Sequence, residues 1–379
     1  MKGDRPAAGD WRPPSTLPPL YRPWVDQLLG GSIPAETNAT CHDCAMCAPP
    51  DGRDGRGPAV FFRRETKCCT YVPTLHNFQI GLILSDDDAS FAAGRATVEA
   101  RLDGRVAVTP GGIAPLPVQA QLYRLGGAHA FGRNSTLRCP HYLEVDGGRC
   151  GIWRYRNAIC ATWFCKHVRG PVGARFWQVL ERLLTTVELQ LARWCIGKLE
   201  LDQDAVARVF ASDNREGTAV FDGTQLDGTI DDASYRAIWG RWCGREREFF
   251  RQAGDLVRAL TWPDVLAAAG AEARLLADLA VHRYEALTSD RIPDRLTVGR
   301  VTATPAQGGR VHAHAHGVAE MLDLPGELWA ALPTFDGRPT DAVLRAISAH
   351  HRIDVQPSLI RKLVDFELLV PAADPEVAR

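Results

Sequence analysis

Nine of the eleven cysteines lie between residues 41 and 165, and that crowding constrains the fold more than any other feature. Cys41, Cys44 and Cys47 form a C-x2-C-x2-C run. The adjacent pair Cys68 and Cys69 follows, and Cys139, Cys150, Cys160 and Cys165 make a later group. Two-residue gaps let successive thiolates turn toward one ion or cluster while the intervening amides donate to sulfur. The rival readings are a disulfide framework and ordinary core cysteines. The first thirty residues hold no continuous apolar stretch of the signal type, and no apolar run reaches the ~18 residues of a membrane span. A reducing, cytoplasmic setting is therefore expected, which favours metal ligands over disulfides. All nine cysteines are taken as metal ligands, for an iron–sulfur cluster first and for zinc otherwise, since spacing alone does not choose. Cys195 and Cys243 sit beside tryptophans in helical sequence and are expected to pack in a core.

The rest of the chain reads as an α+β protein of several parts. Residues 1–28 are Pro-rich and predict an extended arm. Residues 29–175 form a loop-rich cysteine module with one helix near 87–102, opened by Ser85 and three aspartates suited to a helix N-terminus. Residues 176–290 predict a helical domain. Phe176, Leu180, Leu183, Val187, Leu191 and Trp194 mark one helix face. A second helix is expected over 234–260 with Ile238, Trp242, Phe249 and Val257 on its apolar side, and a third from Thr261 to near Leu287. Residues 291–379 predict a β-hairpin, 296–304 with 310–316 around Gly308-Gly309, and then short helices at 326–332, 340–350 and 357–366. That order suggests a winged-helix-like module.

Charge bears on the cysteine site. With 44 basic and 45 acidic side chains the net charge is −1, so no nucleic-acid partner is expected. Yet Arg138, Arg149, Arg154, Arg156, Lys166, Arg169 and Arg175 are opposed over the same stretch only by Glu144 and Asp146. Four thiolates on Zn²⁺ or on a [4Fe–4S]²⁺ core leave a charge of about −2, which such cations would offset. Holding an anionic substrate and lying on a solvated face are the alternatives. Trp153, Tyr155, Trp163 and Phe164 would wrap the late cysteines in apolar surface, as cluster shielding or as the module's own core.

The segments Cys41-His42-Asp43-Cys44-Ala45-Met46-Cys47, Lys67-Cys68-Cys69, Cys139-Pro140-His141-Tyr142-Leu143 and Cys150-Gly151-Ile152-Trp153, with Arg156, Cys160 and Cys165, are similar to the YkgJ-type cysteine-cluster proteins. These are also described as a zinc- or iron-chelating CxxCxxCC family. The resemblance covers residues 41–170 or so and implies a metal- or iron–sulfur-binding module; the flagellin lysine methylase group carries a related one. Two departures stand out. The fused CxxCxxCC is split here, with its paired cysteines displaced to 68 and 69, and the usual Arg-Pro is Arg156-Asn157. Near the C-terminus, Leu328, Trp329, Leu332, Phe335-Asp336-Gly337-Arg338 and a helix holding Val343, Leu344 and Ile347 resemble PqqD-type winged-helix domains. That resemblance implies a protein or peptide partner bound beside a modification enzyme. A plain helical appendage is the alternative.

Other chemistry is sparse. His312, His314 and His316 alternate along one strand and would share a face, either as a metal pair or as an exposed hairpin surface. His42, His141 and His167 neighbour cluster cysteines and could each replace a thiolate. No phosphate-cradling G-x-x-x-x-G-K-[ST], H-E-x-x-H or G-x-S-x-G string is present. The C-x3-C-x2-C string of radical S-adenosylmethionine enzymes is absent too. The expectation is a cytoplasmic metal-binding protein of redox or peptide-modifying type, or a zinc-stabilised, partner-binding scaffold without catalysis.

Overall fold

The structure is a computed structural model that describes residues 17–36, 44, 46–47, 62–145, 147–165, 167–213, 230–318 and 320–372. Helices and small antiparallel sheets alternate along the chain, so the α+β expectation stands. The chain divides into two compact units. One holds residues up to Cys165 together with 180–279, and the other holds 166–179 with 280–379. The cysteine-bearing segment and most of the helical sequence after it thus share the first unit.

Within the first unit the expected arm is partly helical. Leu17 and Tyr21 are buried, and Arg22–Leu29 forms a helix with proline in its first turn and Gly30 at its end. The unit's centre is the helix Asn77–Leu84, buried along its whole length. It crosses Glu246–Arg258 at two glycines: a Cβ on Gly81 would lie 1.8 Å from the Phe250 carbonyl oxygen, and one on Gly254 would lie 2.8 Å from the Leu82 nitrogen. Only glycines allow backbones this close. The long helix Gly170–Lys198 buries Phe176, Leu180, Leu183, Val187 and Leu191 as its periodicity requires, while Trp194 stays half-exposed with the Lys198 ammonium over its ring.

Two helices depart from the sequence expectation. The stretch 234–260 is two helices, Asp232–Trp239 and Glu246–Arg258, separated by a tight turn at Gly240–Trp242. Gly240 takes φ +51°, and Asp202 accepts from the Arg241 amide there at 3.0 Å, so the turn is held by a bond that a continuous helix would lack. Trp239 rather than Ile238 then enters the core and meets Phe249 and Phe250 edge-on. The helix Trp262–Thr288, capped through Thr261 and Asp264, is broken at Gly270, whose φ of 84° and ψ of −163° are not helical. Near the thiols, the predicted 87–102 helix is realised as a short turn, Ala89–Phe91, followed by Ala92–Gly104, with Asp88 accepting from the Ser90 amide.

The second unit contains two three-stranded antiparallel sheets. Val301–Pro305 pairs with Arg310–Ala315 around Gly308 and Gly309, both at positive φ, so the predicted hairpin is present. The predicted strand 296–304 is split. Gly299 donates to the Leu368 carbonyl at 3.0 Å, and Arg295–Val298 leaves to pair with Asp336–Pro339 and Leu369–Pro371. Helices Gly326–Ala331, Thr340–His351 and Pro357–Asp365 fall where expected and bury Leu328, Val343, Ile347, Ile360 and Leu363 in one core. Asp365 is buried and is held by Arg169 and Arg361. No helix among the described residues is long and apolar enough to cross a membrane.

Candidate thiol centre

Four short segments of the first unit carry the cysteines. Cys68 and Cys69 lie in a run of turns that begins at Arg63, whose carbonyl accepts from the amides of Thr66 and Lys67. Lys67 is at φ +50°, and its buried ammonium donates to the Gly148 carbonyl at 2.7 Å. Gly148 belongs to the hairpin in which Tyr142–Leu143 pairs with Arg149–Cys150, so this one ammonium ties the cysteine pair to the hairpin that bears Cys150. The Cys139 amide donates to the Cys69 carbonyl at 2.7 Å. Cys160 sits in the helix Ala158–Thr162, where the buried Asn157 caps its amide at 3.0 Å. The hairpin is seated by Gly94, at which a Cβ would lie 1.8 Å from the Gly151 carbonyl oxygen.

These segments bring sequence-distant sulfurs into mutual electrostatic range. The charge of Cys69 is felt with those of Cys68, Cys150 and Cys139, and that of Cys160 with Cys139, Cys150 and Cys68. Burial pushes Cys139 up to about 12, with Cys150 adding to it, and burial likewise raises Cys160. Cys68 is the exception. A hydrogen bond from the Cys69 thiol, outweighing burial and helped by Arg156 and Lys67, lowers it to about 7. The ten described cysteines are thiols, none in a disulfide. The Cys47 amide donates to the Cys44 carbonyl at 3.0 Å, and burial, then Cys44, raises the Cys47 thiol to about 12. Lys67 acts on both Cys47 and Cys68, and the Tyr142 hydroxyl feels both Cys69 and Cys47. Cys165 is half-buried just beyond the Ala158–Thr162 helix. Cys41 and His42 lie outside the described residues.

The thiols are gathered without being closed around a point. Among the described residues no three His, Cys, Asp or Glu side chains stand close enough to hold an ion as they are. Thiols within electrostatic range of one another resist ionising together unless positive charge enters among them.

The cations that serve the centre are only in part those the sequence pointed to. Arg154 is spent on Asp86 and Asp88, Arg138 on Glu144, Arg169 on Asp365 and Arg175 on Glu367. Lys166 lies outside the described residues. Arg156, from that stretch, acts on Cys68 and Cys160, with its guanidinium over Trp153 at 5.2 Å from the ring centre. Lys67 and Arg101 supply charge from outside it, Arg101 reaching Cys139 while donating to the carbonyls of Val106 and Ala114. Tyr155 turns to Asp86 at 3.0 Å, and Trp163 is 50% exposed against Phe131, so neither aromatic is shown wrapping the cysteines.

The histidines are otherwise engaged. His141 is buried, shares a hydrogen bond of 2.8 Å with Thr97, and is pushed down to about 3 by burial and by Arg101. His167 is 2.8 Å from Glu320. His312 and His314 lie opposite the buried Ala313 and Ala315 on their strand, His312 being 3.8 Å from Asp323, and His316 falls past the strand's end. Cys195 is buried with its sulfur 3.7 Å from the Ala253 carbonyl, as a core cysteine should be, whereas Cys243 is half-exposed and lines an open cleft.

A buried polar group beside the centre left no mark in the sequence. Oε1 of Glu188 accepts from Tyr21, from Gln79 at 2.7 Å and from the Ala158 amide at 2.9 Å, while Oε2 lies 4.0 Å from His76 Nε2. Burial raises this carboxyl to about 8 and lowers His76 to about 4. Burial thus favours the protonated form of this carboxyl. In comparisons with known proteins no family model matches the chain, and no curated protein or solved structure matches it either.

Proposed function

We propose that the first unit is a cysteine-ligated metal centre, holding an iron–sulfur cluster or zinc in a reducing, cytoplasmic setting. The observation that supports this reading is that main-chain and Lys67 bonds tie the Cys68–Cys69 turn to Cys139 and to the Cys150 hairpin, with Cys160 in electrostatic range of them and none of the five in a disulfide. Cys44 and Cys47, with Cys41 and Cys165, complete the donor set the sequence offers. Nine thiols exceed the four that one zinc or one cluster needs, so a second ion or an exchangeable ligand fits the same chain. A bound cluster would supply one-electron chemistry and bound zinc a Lewis acid or a structural clamp. The YkgJ-type resemblance supports this reading. The C-terminal unit is assigned the recruitment of a protein or peptide, on its winged-helix-like order of hairpin and short helices and its PqqD-type resemblance.

The deciding experiment is elemental analysis of anaerobically purified protein together with its absorption spectrum. Iron and sulfide in equal amounts with a band near ~400 nm support the cluster. Zinc in colourless protein supports the structural or Lewis-acid form, and protein free of both after metal reconstitution overturns the proposal.

A further inference from the structure

The cationic stretch 138–175 that could have received an anion is largely paired, whereas two arginines elsewhere in the first unit are not spent in this way. An open cleft of about 410 Å³ in the first unit is lined by Arg63, His129, Arg133, Asn134 and Ser135, with Gly126 and Ala130 at its floor. Among the described residues no carboxylate lines it. Arg63 meets Glu65 at 3.8 Å, with both side chains more than half exposed, a pairing that costs little to give up. Arg133 has no ion-pair partner among the described residues, and its Nε is buried without a hydrogen bond from them.

The two arginines are held in place by the backbone between them. The Arg63 amide donates to the Gly132 carbonyl at 2.7 Å, and the Thr66 hydroxyl donates to that same oxygen at 2.9 Å. The Gly132 amide donates to Thr70 at 2.7 Å, and Phe62 packs edge-on against Phe131 at 5.2 Å. Gly132 is at φ +72°, and a Cβ there would lie 2.0 Å from the Phe62 ring, so the close approach that sets Arg63 beside Arg133 needs this glycine. One feature opposes an anion: the helix Pro117–Ala130 ends at the cleft, and a helix C-terminus carries roughly half a negative charge. Its last carbonyl, that of Ala130, is already capped by the amides of Arg133 and Asn134 at 3.1 and 3.0 Å, and two full guanidinium charges exceed what remains.

We propose that this cleft binds the phosphate group of a small phosphorylated ligand, with Arg63 and Arg133 as the anion clamp and His129, Asn134 and Ser135 as further donors. Two guanidinium forks match the closely set oxygens of one phosphate, which the separated carboxylates of succinate do not reproduce. A pocket of this size has room for more than the phosphate itself. The inference does not depend on the metal reading, because none of the described cysteines lines the cleft.

The test is calorimetric titration of the full chain with inorganic phosphate, and in parallel with succinate, at low and at physiological salt. Saturable phosphate binding that weakens as salt rises is expected. It should fall at least ten-fold in both Arg63→Gln and Arg133→Gln and stay unchanged in Arg251→Gln, which alters an exposed arginine elsewhere. Circular dichroism of each variant checks its fold, and Arg63→Gln, exposed and weakly paired, provides the reading if Arg133→Gln unfolds. Absence of saturable phosphate binding to the unaltered chain overturns the proposal. So does succinate binding as tightly as phosphate, and so does phosphate binding that survives both substitutions.

Discussion

The amide of Cys139 donates to the carbonyl of Cys69 at 2.7 Å, joining the early and late cysteine groups through the main chain rather than through sulfur. That bond leaves both side chains available as ligands while fixing where they start. Cys139→Ser and Cys150→Ser should each lower bound metal by half or more, read by elemental analysis of folded protein. Cys195→Ala, in the core, should cost about 1 kcal/mol of stability and leave metal content unchanged.

Among the described cysteines with a resolved shift, Cys68 alone has its thiol lowered, to about 7. In metal-free protein it should be alkylated by iodoacetamide ahead of Cys139 and Cys160, with a rate that rises through pH ~7 as the thiolate forms. Arg156→Gln should move that midpoint upward, since the guanidinium favours the charged sulfur. Mass-spectrometric mapping across pH 6–9 checks both; preferential labelling of Cys139 would contradict the assignment. Because the neighbouring thiols are raised and must lose protons on loading, metal affinity should fall steeply as the medium is acidified.

Glu188 gives stability a pH dependence of unusual sign for a carboxylate. The unfolded chain ionises it near pH ~4.3, whereas the folded chain holds the proton until about 8. The unfolded state therefore sheds its proton first, and stability falls as pH rises between those values, by roughly 1.4 kcal/mol per unit for a single group. His76, lowered to about 4, works the other way, its contribution being lost as pH drops below ~6.5. The Glu188 slope should accordingly be clearest between that pH and about 7, above which Cys68, lowered to about 7, adds a slope of opposite sign. Glu188→Gln should flatten it, as denaturant midpoints from pH 6.5 to 8.5 would show.

Two glycines should separate stability from assembly of the site. Gly81→Ala forces the Asn77–Leu84 helix away from Glu246–Arg258 and should cost about 1–3 kcal/mol, in the range of overpacked cores. Gly94→Ala drives a methyl into Gly151 and pushes the Cys150 hairpin outward, so it should lower metal retention as well as stability. Thermal melts with and without chelator distinguish the two.

Periodic signals were legible in the sequence, and bonds between distant segments were not. The stripe from Phe176 to Leu191 and the three short C-terminal helices are local patterns, and they stand where the residues place them. The break at Gly240 depends on Asp202, and the split of 296–304 depends on Leu368; no window around either site contains its cause. At the site itself, the cysteines announced themselves by spacing. Within the basic run of 138–175, Arg156 serves the cysteines, whereas Arg154, Arg169 and Arg175 pair with Asp86, Asp88, Asp365 and Glu367, which lie far off in sequence. Tyr21 was hidden among prolines and Glu188 inside an amphipathic helix, where a lone acid reads as a surface residue.

Lys67 sets how firmly the donors are held. Its ammonium fastens the paired-cysteine turn to the hairpin loop at Gly148. A neutral side chain there would loosen the Cys68–Cys69 turn and the Cys150 strand together, so the spacing of donors far apart in sequence rests on one buried cation that is not itself a ligand.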